Sequence, residues 1–239
     1  QQYDAPKVSR DQLLRVHDGD YIDQLFASAP EQGLAWLDGD TAMSPDTLEA
    51  AHYAAGAVVH AVDLVMQGKA RRAYGAVRPP GHHAERKRAM GFCYFNNLAV
   101  GAAHALAQYP VKRIAIVDFD VHHGNGTEDI FDGNTQVLCC SSYQHPFYPY
   151  TGGDSESSNI IDIPLPAGTG GEEFRTAITQ HVLPALEQYE PELIMISAGF
   201  DAHREDDMGQ LNLLEEDYAW ITDQLARIAD RHAEGRIVS

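Results

Sequence analysis

Residues 113–126 read Arg-Ile-Ala-Ile-Val-Asp-Phe-Asp-Val-His-His-Gly-Asn-Gly. The first six are a short apolar run closed by an acid, the pattern of a strand buried on both faces. The remainder is polar and glycine-rich, so this strand opens into a loop loaded with Asp and His. The same texture recurs on either side. Residues 73–77 form an apolar run stopped by Pro79-Pro80-Gly81, residues 192–197 form another, and 136–141 and 159–163 are further strand candidates. Helical periodicities lie between them. Ser44-Pro45-Asp46 reads as a hydroxyl N-cap, a Pro at the first helical position and an acid in the first turn, and apolar residues then recur from Leu48 to Val65. Residues 97–108 read as an Ala-rich buried helix. Phe174, Ile178, Val182 and Leu186 mark a helix that Pro184 bends, and Leu214 to Ile228 mark another with acids in its first turn. Apolar strands alternating with helices predict an α/β fold: a mostly parallel sheet with helices on both faces and a site beyond the carboxyl ends of the strands.

Composition narrows the class. Apolar residues are 44% and charged residues 22% of 239, as in an ordinary globular protein. No apolar run reaches the roughly 18 residues of a membrane span, and no signal peptide is visible at Gln1-Gln2-Tyr3-Asp4. Lys and Arg total 17 against 35 Asp and Glu, a net charge of −18. Such a chain repels phosphate, so direct nucleic-acid binding is not expected; the acidity serves either a cationic partner or solubility. Three cysteines, Cys93 and the adjacent Cys139 and Cys140, make no disulfide framework, and a reducing cytoplasm is the simplest setting. Nothing in the composition gives the oligomeric state.

Three strand ends carry the chemistry. Asp120 and His122 stand two apart, so in extended backbone both point to one side and can hold one ion. Asp201, after the strand at 192–197, supplies a third ligand. An Asp-His-Asp set suits zinc or ferrous iron over calcium, and three protein ligands leave a position open for catalysis. The alternative is that each acid is a turn former. His82 and His83 follow Gly81 on a proline-fixed loop and offer a general base and acid, with Asp118 placed to orient an imidazole; otherwise they are surface. His123 reads as a packing residue or as one that steadies a ligand, rather than as a ligand itself. Residues 91–97 and 146–152 are aromatic, glycine-rich loops, either a slot to the metal or ordinary core. Cys93 is either a reactive thiol or a small buried hydrophobe.

Four ordered motifs, Arg-Pro-Pro-Gly-His-His-Ala from 78, Gly-Phe-Cys-Tyr-Phe-Asn-Asn from 91, Asp-Phe-Asp-Val-His-His-Gly-Asn-Gly from 118 and Gly-Phe-Asp-Ala-His from 199, resemble the histone deacetylase family, closest to its class II and bacterial amidohydrolase branch. The resemblance implies an arginase/deacetylase-like fold, one zinc held by Asp120, His122 and Asp201, and potassium held by Asp118, Asp120, His122, Ser141 and Ser142. It makes His82, paired with Asp118, and His83 the catalytic histidines. Gly91, Phe92 and Tyr148 become walls of an acyl-lysine tunnel. Phe131 and Val137 fall where a second, backbone-lined potassium site is expected. Asn125 stands where class I members carry aspartate, and polarises His83 less. Tyr150 replaces a glycine at the tunnel rim. Met208 takes the place of the glutamate of polyamine-specific members.

The family's catalytic tyrosine follows a Glu-Gly-Gly segment beyond the strand that Arg236 opens, and its first strand precedes Tyr3. Residues 1–239 are therefore expected to be one partial deacetylase-like catalytic domain. The function expected is zinc-dependent removal of acetyl or other acyl groups from ε-acyl-lysine or small acyl amides. Two other readings stand beside it: a metal-binding, acyl-lysine-binding remnant without turnover, and an arginase-like ureohydrolase, which would want another acid where Asn125 stands.

Overall fold

The computed structural model describes residues 1–239, which resolve into two compact units. The first comprises Gln1–Pro110, Asn125–Ile130 and Val238; the second comprises Val111–Gly124, Phe131–Ile237 and Ser239.

In the first unit, α1 (Arg10–Leu13) and α2 (Gly19–Ala27) precede a two-stranded antiparallel hairpin, β1 (Ala35–Trp36) and β2 (Ala42–Met43). Then come α3 (Thr47–Met66), β3 (Arg72–Ala73), α4 (Asn97–Gln108) and α5 (Asn125–Phe131), whose last residue passes into the second unit. The small side chains of α3 and α4 (Ala51, Ala55, Ala99, Ala102, Ala105) are buried, so the two helices pack closely. Gly56 of α3 takes the crossing N-terminal segment: a Cβ there would run into the Pro6 carbonyl, and Val8 N–H donates to His52 O at 3.0 Å.

Two expectations shift here. The long helix begins at Thr47, because Ser44-Pro45-Asp46 forms a turn in which the Thr47 hydroxyl accepts from Ser44 N–H at 2.8 Å. The strand expected at 73–77 shrinks to Arg72–Ala73. Pro79 and Pro80 have no N–H for a ladder, and Arg78 before them is restricted to extended or turn backbone.

The second unit contains the parallel sheet. β4 (Ile114–Asp118) lies between β5 (Val137–Gln144) and β7 (Leu193–Ser197), and β6 (Ile160–Leu165) flanks β5, all parallel. β8 (Ile237–Val238) neighbours β7. Every residue of β4 is buried, so both of its faces are covered, as the unbroken apolar run predicts. Ala115, Val117, Leu138, Ile194 and Ile196 pack with Phe174, Ile178, Val182 and Leu186, and with Ile221, Leu225 and Ile228. The latter two sets come from α6 (Gly171–Ala177), α7 (Leu183–Tyr189) and α8 (Glu215–His232), with a π-helical turn at Ile178–Val182 joining α6 to α7. The fold is thus the α/β class expected, a parallel sheet flanked by helices.

Candidate active site

Register builds a group that could hold a metal ion. Asp118 ends β4 opposite Ser197 of β7 and Ser141 of β5. The loops leaving β4 and β7 are therefore neighbours at the carboxyl edge of the sheet, which brings Asp120 and His122 to Asp201. His122 Nδ1 lies 2.8 Å from Asp120 Oδ1 and 3.1 Å from Asp201 Oδ2. One ligand atom from each of the three lies within 4.8 Å of the others. Backbone donors aim the carboxylates: Val121 N–H binds Asp201 Oδ1 at 2.9 Å, and His122 N–H binds Asp120 Oδ1 at 2.8 Å. Asp118 Oδ1 in turn accepts from Asp120 N–H at 3.0 Å. Gly199 is required beside them, because a Cβ there would collide with the Asp120 carboxylate.

Electrostatics fit a cation at this point. Burial alone would lower the His122 imidazole, but hydrogen bonds and charge from Asp120 and Asp201 outweigh it and raise it to about 9. Two half-buried carboxylates focused on one imidazole attract positive charge strongly, whether a proton or a metal dication. The donor set, two hard oxygens and one borderline nitrogen, suits zinc or ferrous iron over calcium. Phe147 stacks on His122 with centroids 5.2 Å apart, and Tyr148 meets its edge at 5.9 Å. Ser142 Oγ donates to Asp118 O at 3.4 Å, and Ser141 Oγ accepts from Gly124 N–H at 3.4 Å. Met208 is half-exposed, its N–H bound to Asp206 Oδ1 at 2.8 Å. His123 is buried against Tyr143, with Nδ1 2.9 Å from Thr151 Oγ1 and Nε2 3.4 Å from Asp162 Oδ1.

In the first unit, His82 and His83 are both buried, with ring centroids 4.0 Å apart. The His82 carbonyl accepts from Gly126 and Thr127 N–H at 2.9 and 3.2 Å, tying the histidine loop to the start of α5. His83 Nδ1 lies 2.7 Å from Asn125 Oδ1. The amide is oriented by its other end, since Asn125 Nδ2 donates to Glu85 Oε1 at 2.8 Å. Asn125 Oδ1 is therefore an acceptor, His83 carries its proton on Nδ1, and its basic lone pair is on Nε2. Gly91 sits in left-handed backbone (φ +57°) against the His83 ring, where a Cβ would collide. Phe92 follows, also left-handed (φ +65°) and 46% exposed. Cys93 is buried, its thiol donating to Gly91 O, so the small-hydrophobe reading holds.

Sequence reasoning missed three contributors. Glu85 polarises Asn125 from 40 residues away. Phe147 stacks on His122, although only its neighbour Tyr148 was singled out. Gly199 was read as part of a motif and not as room for Asp120. The Pro-Phe-Tyr-Pro run at 146–149 was the available signal for Phe147.

A profile of the histone deacetylase domain matches residues 1–239. The histone deacetylase-like amidohydrolase of Pseudomonas aeruginosa is 37% identical over 241 residues, covering 98% of this chain and 63% of that protein. A probable deacetylase of Archaeoglobus fulgidus is 36% identical over 239 residues, covering 98% of this chain and 66% of that one. The crystal structure of the HDA15 HD domain superposes with a TM-score of 0.90 at 32% identity, covering 99% of this chain and 69% of that chain. The chain thus spans 63% and 66% of the length of these two curated relatives. By sequence and by fold, this chain belongs to the histone deacetylase family of hydrolases.

Proposed function

We propose that residues 1–239 carry one catalytic domain of a zinc-dependent hydrolase that removes acetyl or other acyl groups from ε-acyl-lysine or related small amides. The observation that carries this reading is the convergence of Asp120, His122 and Asp201 within 4.8 Å at the sheet's carboxyl edge. These three would hold the zinc, with their two carboxylates offsetting its charge. A zinc held there would supply Lewis acidity toward an amide carbonyl and the water that attacks it.

His83 acts through Nε2, taking a proton from the attacking water and returning one to the leaving amine. His82 and Asp118 keep the charge-orienting roles that the family gives them, with Asn125 positioning His83. Gly91, Phe92 and Tyr148 contact the acyl-lysine side chain, and Met208 stands where substrate choice is made. Potassium belongs with Asp118, Asp120, His122, Ser141 and Ser142. The substrate is an acylated amine, not nucleic acid. No helix is long and apolar enough to cross a membrane. The cysteines are buried and none is in a disulfide, which favours a reducing, cytoplasmic setting for this protein.

Metal analysis of the purified protein is expected to give about one zinc equivalent per chain, as the proposed site at Asp120, His122 and Asp201 implies. Asp201→Ala is expected to lose that metal and any hydrolysis of an acetyl-lysine amide. Full occupancy in Asp201→Ala would overturn the ligand assignment. Full occupancy in the wild type without turnover would favour the remnant reading.

A further inference from the structure

Three backbone carbonyls at the α5–β5 connection, those of Phe131 at the end of α5, Asn134 in the loop and Val137 at the start of β5, converge on one atom. That atom is Nδ2 of the buried Asn159, at 2.8, 3.2 and 2.9 Å. Carbonyl oxygens turned toward a common point repel one another unless something positive stands between them. A ring of such oxygens is the usual cradle for a monovalent cation. Here the centre is held by an amide nitrogen that brings two protons to three acceptors. Its orientation follows from the other end of the side chain, where Asn159 Oδ1 accepts from Gly133 N–H at 3.2 Å. The reversed amide would point an oxygen at three oxygens and leave Gly133 facing an NH₂ group.

This is the place where the family resemblance led us to expect a second, backbone-lined potassium ion. The residues present do not fit one, because the ion would have to stand where Nδ2 stands. We propose that this chain closes the carbonyl cradle of Phe131, Asn134 and Val137 with the Asn159 side chain in place of a monovalent cation. Asn159 immediately precedes β6, and its carbonyl already accepts from Cys139 N–H of β5 at 2.8 Å. The side chain therefore pins the α5–β5 loop to the start of β6 with covalently attached donors, and that junction needs no ion. The inference concerns this chain's own loop and does not depend on the proposed hydrolase activity.

The test is thermal unfolding in tetramethylammonium chloride, with potassium chloride exchanged in at constant ionic strength. Comparing variants with the wild type cancels any response of the site at Asp118 and Ser141. Asn159→Ala removes the amide and leaves the cradle open. It is expected to melt lower without potassium and to gain about 2–4 °C more from potassium than the wild type does. Asn159→Leu fills the space with apolar atoms and is expected to be destabilised with no such extra gain. Equal potassium responses in the wild type and Asn159→Ala would overturn the proposal. Should Asn159→Ala fail to fold, anomalous scattering from wild-type crystals soaked in thallium(I) decides. No thallium peak is expected among the three carbonyls, and a peak there would refute it.

Discussion

At the scale of single residues, the proposed chemistry of His83 rests on a neutral group that carries charge at one remove. His83 faces Asn125 and not an acid, yet Asn125 is itself held by the Glu85 carboxylate. A carboxylate behind the amide polarises it and favours the imidazolium that forms when His83 takes a proton. Glu85→Gln keeps an acceptor for Asn125 and removes the charge. In the proposed hydrolase it is expected to lower kcat/KM about five- to tenfold, the difference between a charged and a neutral hydrogen-bond partner. The acidic limb of the pH–rate profile should also move to lower pH, since a less favoured imidazolium releases its proton sooner. An unchanged limb would show that Glu85 only packs. Asn159 uses the same economy in the second unit, where amide protons stand in for a cation.

At the scale of elements, two junctions show how backbone needs are met. The helix expected to bend at Pro184 carries the π-helical turn Ile178–Val182 just before it, with Leu183 N–H bonded to Ile178 O. Pro184 has no N–H, and one extra residue per turn makes room for its ring while Phe174, Ile178, Val182 and Leu186 all stay buried. The second junction is His17, which joins the α1–α2 segment to the histidine loop and to α4. Its Nδ1 donates to Glu85 O at 3.0 Å and its Nε2 accepts from Asn96 N–H at 2.9 Å, so the ring is neutral. Burial lowers it from the usual 6.5 to about 4, despite the carbonyls of Glu85 and Arg86 that favour a proton. Above pH 6.5 this has no effect on stability. Below it the unfolded chain protonates first, and about 3 kcal/mol is lost by the time pH reaches about 4. Urea unfolding at pH 7 and pH 4.5 should show a drop that is smaller in His17→Gln than in the wild type.

Across the whole molecule, the net charge of −18 sets how partners arrive. An acidic protein draws cationic substrates from a distance, and salt removes that advantage once the screening length shrinks below the range of the field. With a lysine-rich acetylated peptide, raising NaCl from about 10 mM to about 150 mM should lower kcat/KM about tenfold, while a neutral acetyl amide should change little. Equal salt dependence for the two substrates would mean that the acidity serves solubility alone.

Much of this protein was legible from its residues. The strand candidates at 113–118, 136–141, 159–163 and 192–197 became β4 to β7; β4 and β7 read most plainly, because a strand covered on both faces is apolar almost throughout, whereas β6 is only partly buried. Asp120, His122 and Asp201 were legible as one group because parallel strands align their carboxyl ends. The helices α1, α2 and α5 were missed: they are short, and their stability comes from tertiary packing more than from local pattern. The roles of Glu85, Phe147, Gly199 and Asn159 were decided only by the folded chain. Each acts on a partner that register or loop closure brings to it from 22 to 79 residues away. A carboxylate, a ring, an absent Cβ or an amide has no fixed meaning until the fold chooses what it faces.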